Sequence, residues 1–219
     1  MLQYWDGKNR VTDAMHFGSL IHKLLLEPES FNDEYAIFTG ARRAGKEWQQ
    51  FKSENENKQI IKMSELDDAN SIVQNAMNNP IFNEIMSNKV HTEKQVTWTH
   101  AGVGFKGFID VESIINGETI VCDIKTTTDA GKRFQRDLIY NDYKMQAAMY
   151  LENYDPNTQF FIIAVETVAP FNVQVYRLGG NMIAQGFNEY TNLVDKYNQW
   201  DGQPVGYSDQ VIDIDIDIN

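Results

Sequence analysis

Two aspartates and a lysine stand where the surrounding residues read as sheet. Asp110 closes the apolar run of "GFID", and Asp123 and Lys125 lie inside "TIVCDIKTT". Side chains alternate along a strand, so Asp123 and Lys125, two positions apart, share one face. Between the two runs, Asn116 and Gly117 form a tight-hairpin signal. A turn centred on that dipeptide sets Asp110 directly opposite Asp123. Carboxylates that close repel unless a proton or a metal compensates. A hard divalent cation suits them, since Mg²⁺ takes one or two carboxylates and keeps several waters. Lys125 beside such an ion would stabilise charge on an attacked phosphate. The plain alternative is a structural ion pair of Asp123 with Lys125 or Asp110. Ionic residues inside a strand are rare without a partner or a role, which weighs toward a site.

The elements that must hold these residues can be placed from the pattern. "TDAMHFGSLIHKLLLEPE" predicts a helix from about Thr12 to Leu26, with Thr12 or Asp13 as cap and Pro28 beyond its end. "EYAIF" reads as a short strand, and residues 40–58 as a mobile loop or a poorly packed helix. Ser64 opens a helix with a Ser-x-x-Asp box, and a short helix follows at about 81–88. The period then changes: "EKQVTWT" and "GFKGFIDVESII" alternate as strands, and "TIVCDIKTT" is apolar enough to be central. Residues 131–153 read as one helix, "QFFIIAVET" as a buried strand and "FNVQVYRL" as an alternating one. "MIAQGFNEYTNLVDKYNQW" closes the pattern as a helix, and "VIDIDIDIN" is an edge strand or a frayed end. There is no glycine-rich phosphate loop, repeat or linker. A single α/β domain over 1–219, with a mixed sheet, helices on its flanks and an N-terminal helical segment, is the expected fold.

Composition narrows the class. The chain has 219 residues, 42% apolar and 12% aromatic, which suits a folded domain with a sizeable core. No apolar run is long enough to span a membrane and no signal pattern opens the chain, so a cytoplasmic protein is expected, with no membrane partner. The lone Cys122 excludes an internal disulfide and a cysteine zinc site. The net charge of −12 argues against bulk nucleic-acid binding unless a basic channel lies within an acidic exterior.

At this point the residues meet a known family. An Asp followed by Asp-x-Lys on paired strands resembles the PD-(D/E)XK nuclease superfamily. More narrowly, "FGSLIHKLLLEPESF", "HTEKQVTW", "GFIDVE", "CDIKTTTDAGKRF" and "YNDYKMQAAMYLE" resemble the nuclease domain of RecE-type exodeoxyribonuclease VIII, over about residues 16–178. The resemblance implies that His22 joins Asp110, Asp123 and the Ile124 backbone carbonyl around the metal, although alone a His amid Leu and Ile reads as a core residue. It makes Lys125 the catalytic lysine and Glu93 an acidic residue near the site, where an exposed carboxylate at a strand start is the plainer reading. Gln146 and Tyr150 match the helix motif behind the core, and their spacing of four sets them on one helix face. Tyr150 alone would pass as a core aromatic. Thr126 and Thr127 could bind a phosphate or serve as strand formers, and Lys132 and Arg133 are backbone contacts or solvated rim charges.

The activity so implied is Mg²⁺- or Mn²⁺-assisted digestion of linear duplex DNA from 5′ ends, leaving 3′ overhangs for recombination. Implied partners are double-stranded DNA ends, further copies in a homo-oligomeric ring (trimer or tetramer) and a single-strand annealing protein. A phage or prophage gene in a bacterial host is the matching source. The family's segment ahead of the His helix is shortened here, which implies a minimal version or fewer DNA contacts. Two alternatives stand: an endonuclease or single-strand nuclease of the same fold, and a non-catalytic DNA-end or protein-binding module. The iron–sulfur version of such a nuclease needs four cysteines and is excluded.

Overall fold

The computed structural model describes residues 12–202, so "VIDIDIDIN" falls outside the described residues. Helix α1 (Asp13–Leu26) begins where the Thr12 hydroxyl accepts the Met15 N–H, and it buries Leu20, Ile21, Leu25 and Leu26. A turn at Pro28–Ser30 and a four-residue helix, α2 (Phe31–Glu34), lead into β1 (Tyr35–Phe38). The polar stretch that follows holds α3 (Gly45–Glu54), which buries no residue, and then β2 (Gln59–Lys62), which pairs in parallel with β1. Of the two expectations for that stretch, the weakly packed helix is the one observed.

Helix α4 (Met63–Asn78) starts one residue ahead of Ser64. Its first turn is closed by the Glu65 carboxylate, which accepts the Lys62 N–H at 2.6 Å, and not by the expected Ser64–Asp67 box. In α5 (Pro80–Ser87) the Asn79 side chain caps the N–H groups of Ile81 and Phe82.

Five strands then build one mixed sheet in chain order: β3 (Lys89–His100), β4 (Val103–Ile115), β5 (Glu118–Thr127), β6 (Gln159–Glu166) and β7 (Val173–Arg177). Only β5–β6 is parallel. Its crossover carries α6 (Lys132–Tyr140) and α7 (Tyr143–Leu151). The single helix expected there is broken at Asp142, whose φ of 57° is left-handed and resets the axis. Helix α8 (Gly180–Gln199) closes the described chain.

Each face of the sheet carries its own core. Residues 120, 122 and 124 of β5 and 163 and 165 of β6 turn toward α1, α4 and α5. Val121 of β5 and 160, 162 and 164 of β6 turn toward α6, α7 and Leu178. The strict alternation of a sheet buried on both sides therefore places Asp123 and Lys125 on the face of α6 and α7, and α1 on the other.

Candidate metal centre

The hairpin joining β4 to β5 turns on Asn116 and Gly117, both at positive φ (53° and 82°), as a two-residue hairpin of right-handed twist requires. Its ladder runs from Ile115↔Glu118 up to Val111↔Cys122. The next pair in that register is Asp110 with Asp123, and there the ladder stops. Asp110 lies inside β4, not at its end as expected. Its Oδ2 accepts the Ile124 N–H at 2.6 Å, so a side chain occupies the place of a backbone partner and the strands part. The two aspartates are thus brought together by the hairpin but do not stand as a flat cross-strand pair.

The parting has a cause on β4 and β3. Ile109 packs with the α6–α7 core and Val111, two residues on, with the α1 core. A regular strand would put both on one face, so β4 changes face at Asp110. On β3 the residue that faces Asp110 in register is Glu93, between the pairs Thr92↔Val111 and Lys94↔Ile109. Glu93 has a φ of 47°, a left-handed conformation that an L side chain adopts at a cost. Strain of that kind needs support from its surroundings, and here it turns the Glu93 carboxylate toward the gap.

His22 reaches the same gap from α1. Gly18, one turn earlier, allows the approach: a Cβ there would lie 3.0 Å from Thr126 Oγ1 of β5. His22 Nδ1 is 3.8 Å from Asp110 Oδ2, and one ligand atom each of His22, Glu93 and Asp110 lies within 4.8 Å of the others. On the opposite face, Gln146 Nε2 donates to Asp123 Oδ1 at 2.7 Å. Lys125 Nζ sits 2.7 Å from the buried Asp123 Oδ2, which no other donor reaches.

The electrostatics of these groups are unbalanced. Burial, then the charge of Asp123, pushes the Asp110 carboxyl up to about 8, while the Ile124 N–H opposes the rise. Glu93 is raised by burial, then by Glu27, with Asp123 adding to it. Burial lowers His22, which favours the neutral imidazole that ligates metals, and the Ile124 backbone raises it. For Lys125 burial works against the charge, but Asp123 outweighs it and the ammonium is held above its ordinary value. The described chain thus gathers carboxylates that repel and an imidazole that favours its neutral form. A divalent cation fits that donor set, taking oxygen and imidazole ligands at about 2.0–2.6 Å.

The centre opens into a cleft of about 1270 Å³ where the two faces meet, lined by His22, Glu93, Lys125 and Thr126 among others. The expected residues distribute unevenly around it. The closest ligand group contains Glu93, expected only near the site, while Asp123 is held by Gln146 and Lys125. Tyr150 does not share the place of Gln146: its ring covers Gly107, where a Cβ would lie 2.5 Å from it, and meets Trp98 edge-on. Thr127 is turned to Asp129, accepting its N–H at 3.3 Å. Lys132 and Arg133 are exposed on α6. Two residues were missed. Tyr143 carries Lys125 Nζ 5.3 Å above its ring, and Phe108, 46% exposed, lines the cleft with Lys106 above it. Phe108 belonged to a recognisably alternating strand, so its outward position was readable; Tyr143 depends on the helix break.

The family described as "PDDEXK-like domain of unknown function (DUF3799)" matches residues 2–204. Among solved structures, a "putative exonuclease" from Eubacterium rectale superposes with a TM-score of 0.61 at 16% identity, covering 90% of this chain and 71% of that chain. At that identity the likeness is one of fold. The Vibrio cholerae protein VC1899 gives a TM-score of 0.29 at 13% identity over 86% of this chain and 52% of its own, too low to argue from. No curated protein matches the chain. The mixed sheet between helices expected from the sequence is the fold observed, and among the described residues no helix is long and apolar enough to cross a membrane.

Proposed function

Because this chain belongs to the PDDEXK-like domain family, with the nuclease fold of that superfamily, we propose that it is a divalent-metal-dependent exodeoxyribonuclease of the RecE type. The substrate is linear duplex DNA, digested from 5′ ends to leave 3′ single-stranded overhangs for recombination. The observation that carries the reading is the convergence of His22, Glu93 and Asp110 within 4.8 Å at the point where β4 parts from β5, beside Asp123 and Lys125. The exonuclease description of the Eubacterium rectale protein supports the same class.

His22, Glu93 and Asp110 would hold the cation, with Asp123 and the Ile124 carbonyl at its border. When bound, Mg²⁺ or Mn²⁺ supplies Lewis-acid polarisation of the phosphate and a water nucleophile at neutral pH. In the metal-free protein Asp123 stabilises the charge of Lys125. As an ammonium it would donate to the phosphate oxygens as charge develops there. Gln146 fixes the Asp123 rotamer, and Tyr143 supports the Lys125 ammonium from below. Thr126, at the cleft wall, and Lys132 and Arg133, further out, are contacts to the DNA backbone. A homo-oligomeric ring of three or four copies and a single-strand annealing protein complete the proposal; a ring would confine positive potential to its lumen and leave the acidic exterior to repel DNA.

The test uses end-labelled linear duplex and closed circular DNA with Mg²⁺ or Mn²⁺. Loss of linear DNA alone, with mononucleotides from the 5′-labelled end, supports the proposal. Cutting of circles would replace it with an endonuclease, and no product with either metal would leave a binding module.

A further inference from the structure

Helix α6 presents a surface that the metal centre does not use. It buries Phe134 and Leu138 against the sheet. At ~100° per residue, the remaining side chains of interest fall in one outward arc of about 120°, in the order Ile139, Lys132, Arg136, Tyr140, Arg133. All five are exposed, Ile139 by 56% and Tyr140 by 78%. The helix's one acid, Asp137, lies outside the arc. No ion pair holds any of the three cations among the described residues. In a chain of net charge −12, the arc gathers three cations around a protruding aromatic ring, with no acid inside it.

The helix is tied to the cleft. Phe134 stacks on Tyr143 with ring centroids 5.9 Å apart, and Tyr143 lies under Lys125 and lines the cleft wall. Tyr140 stands three residues ahead of Tyr143, just before the left-handed Asp142.

We propose that the outward arc of α6 is a platform for an unpaired stretch of the DNA strand, with Tyr140 stacking on a base, Ile139 packing beside it and Lys132, Arg133 and Arg136 holding the flanking phosphates. Charge complementarity selects a polyanion, and the exposed ring selects among polyanions. A regular duplex offers phosphates but keeps its base faces stacked, which leaves Tyr140 and Ile139 without a partner. An unpaired strand offers both, and alternating cations with an aromatic ring is the chemistry by which single strands are bound without sequence preference. Bound there, the unpaired strand would be led end first toward the cleft. The proposal rests on the nuclease reading only for the identity of that strand.

Fluorescence anisotropy with the full chain in EDTA tests it, using a labelled oligothymidylate of ~12 nucleotides, within the footprint range of such surfaces, and a blunt duplex. Tyr140→Ala is expected to weaken single-strand binding roughly 5- to 150-fold, with Tyr140→Phe near wild type and duplex binding changed less than twofold. The double variant Arg133→Ala/Arg136→Ala should lower the salt slope for the single strand by about 1.4, at ~0.7 per phosphate contact. Both residues are exposed, so unchanged melting would show that folding is intact. Equal oligothymidylate binding by Tyr140→Ala and wild type, or no binding by wild type at low salt, overturns the platform. Hydrolysis assays separate the two ideas. Wild-type digestion with unaltered Tyr140→Ala binding sinks the platform alone; absent digestion with Tyr140-dependent binding sinks the nuclease alone.

Discussion

Asp110 and Glu112 lie two residues apart on β4, and both are acids shielded from water, yet they are treated in opposite ways. Glu112 is met by Lys94 Nζ at 2.5 Å and by the Tyr154 hydroxyl. Burial alone would raise its carboxyl, but Lys94 and Tyr154 outweigh it and the net shift is downward. Asp110 has one backbone N–H and the weaker pull of Lys125 against its burial and the repulsion of Asp123 and Glu93, and is pushed up to about 8. The fold can evidently provide a counter-charge on this strand. Where it withholds one, the free energy is left for a ligand from outside to recover, which is how a binding site differs from a structural ion pair built of the same residue types.

The largest expected effect is on catalysis. Asp110→Asn should lower hydrolysis on the order of 10³-fold, since Lewis-acid stabilisation is worth several kcal/mol. The same variant should melt higher than wild type in EDTA at pH 8, because it removes a buried charge that the Ile124 N–H and Lys125 offset only in part. The sign follows from linkage: a carboxyl raised from 3.8 to about 8 favours the protonated fold, so its contribution is full below pH 3.8 and is lost as pH rises toward 8. Mn²⁺ should therefore raise the wild-type melting temperature more at pH 8 than at pH 5. An equal gain at both would show that Asp110 is ionised without metal and would erase the contrast with Glu112.

Glu112→Gln should do the reverse. It removes charge-assisted bonds worth about 2–3 kcal/mol, measurable by urea unfolding, while kcat of the folded fraction stays near wild type. Because this carboxyl is depressed, its contribution is present above the ordinary carboxylate range and is lost as pH falls. Between these extremes stands Glu93→Gly. Removing the side chain relieves the left-handed strain, a gain of roughly 1–2 kcal/mol in the metal-free state, and deletes one anionic ligand. Stability should rise and Mn²⁺ affinity, by calorimetry, should fall. If affinity is unchanged, Glu93 is strained for another reason.

The sequence made one half of this comparison legible. The Asn116–Gly117 turn fixes the β4–β5 register, and with it the meeting of Asp110 and Asp123, because a two-residue hairpin leaves no freedom of alignment. The central place of β5 followed from its unbroken apolar run. The promotion of Glu93 to the ligand group was not readable, since it depends on a positive φ and on a change of face that hydrophobic periodicity does not encode. Tyr150 shares a helix face with Gln146 by spacing, yet the empty place over Gly107 receives its ring. The break between α6 and α7 left a trace, the turn-forming Asn141–Asp142, and with it Tyr143 could have been placed. Lys94 and Glu112 gave no local signal at all: their pairing spans two strands, and each alone looks like an ordinary surface charge.

The smallest effect probes how the satisfied half of the contrast is built. Tyr154→Phe keeps the ring and the Lys94–Glu112 ion pair but removes the neutral donor to Glu112. Losing one hydrogen bond to a carboxylate should cost about 1.5 kcal/mol in unfolding free energy at pH 7. Glu112 should also titrate closer to its ordinary range, so the acid limb of the stability curve moves to higher pH. Digestion of linear DNA should not change, since Tyr154 meets Glu112 and Lys94 and not the cleft. A variant as stable as wild type at every pH would mean that Lys94 alone satisfies Glu112. The distinction from Asp110 would then reduce to the presence of one lysine, and placing a lysine within reach of Asp110 should quench the demand for a metal.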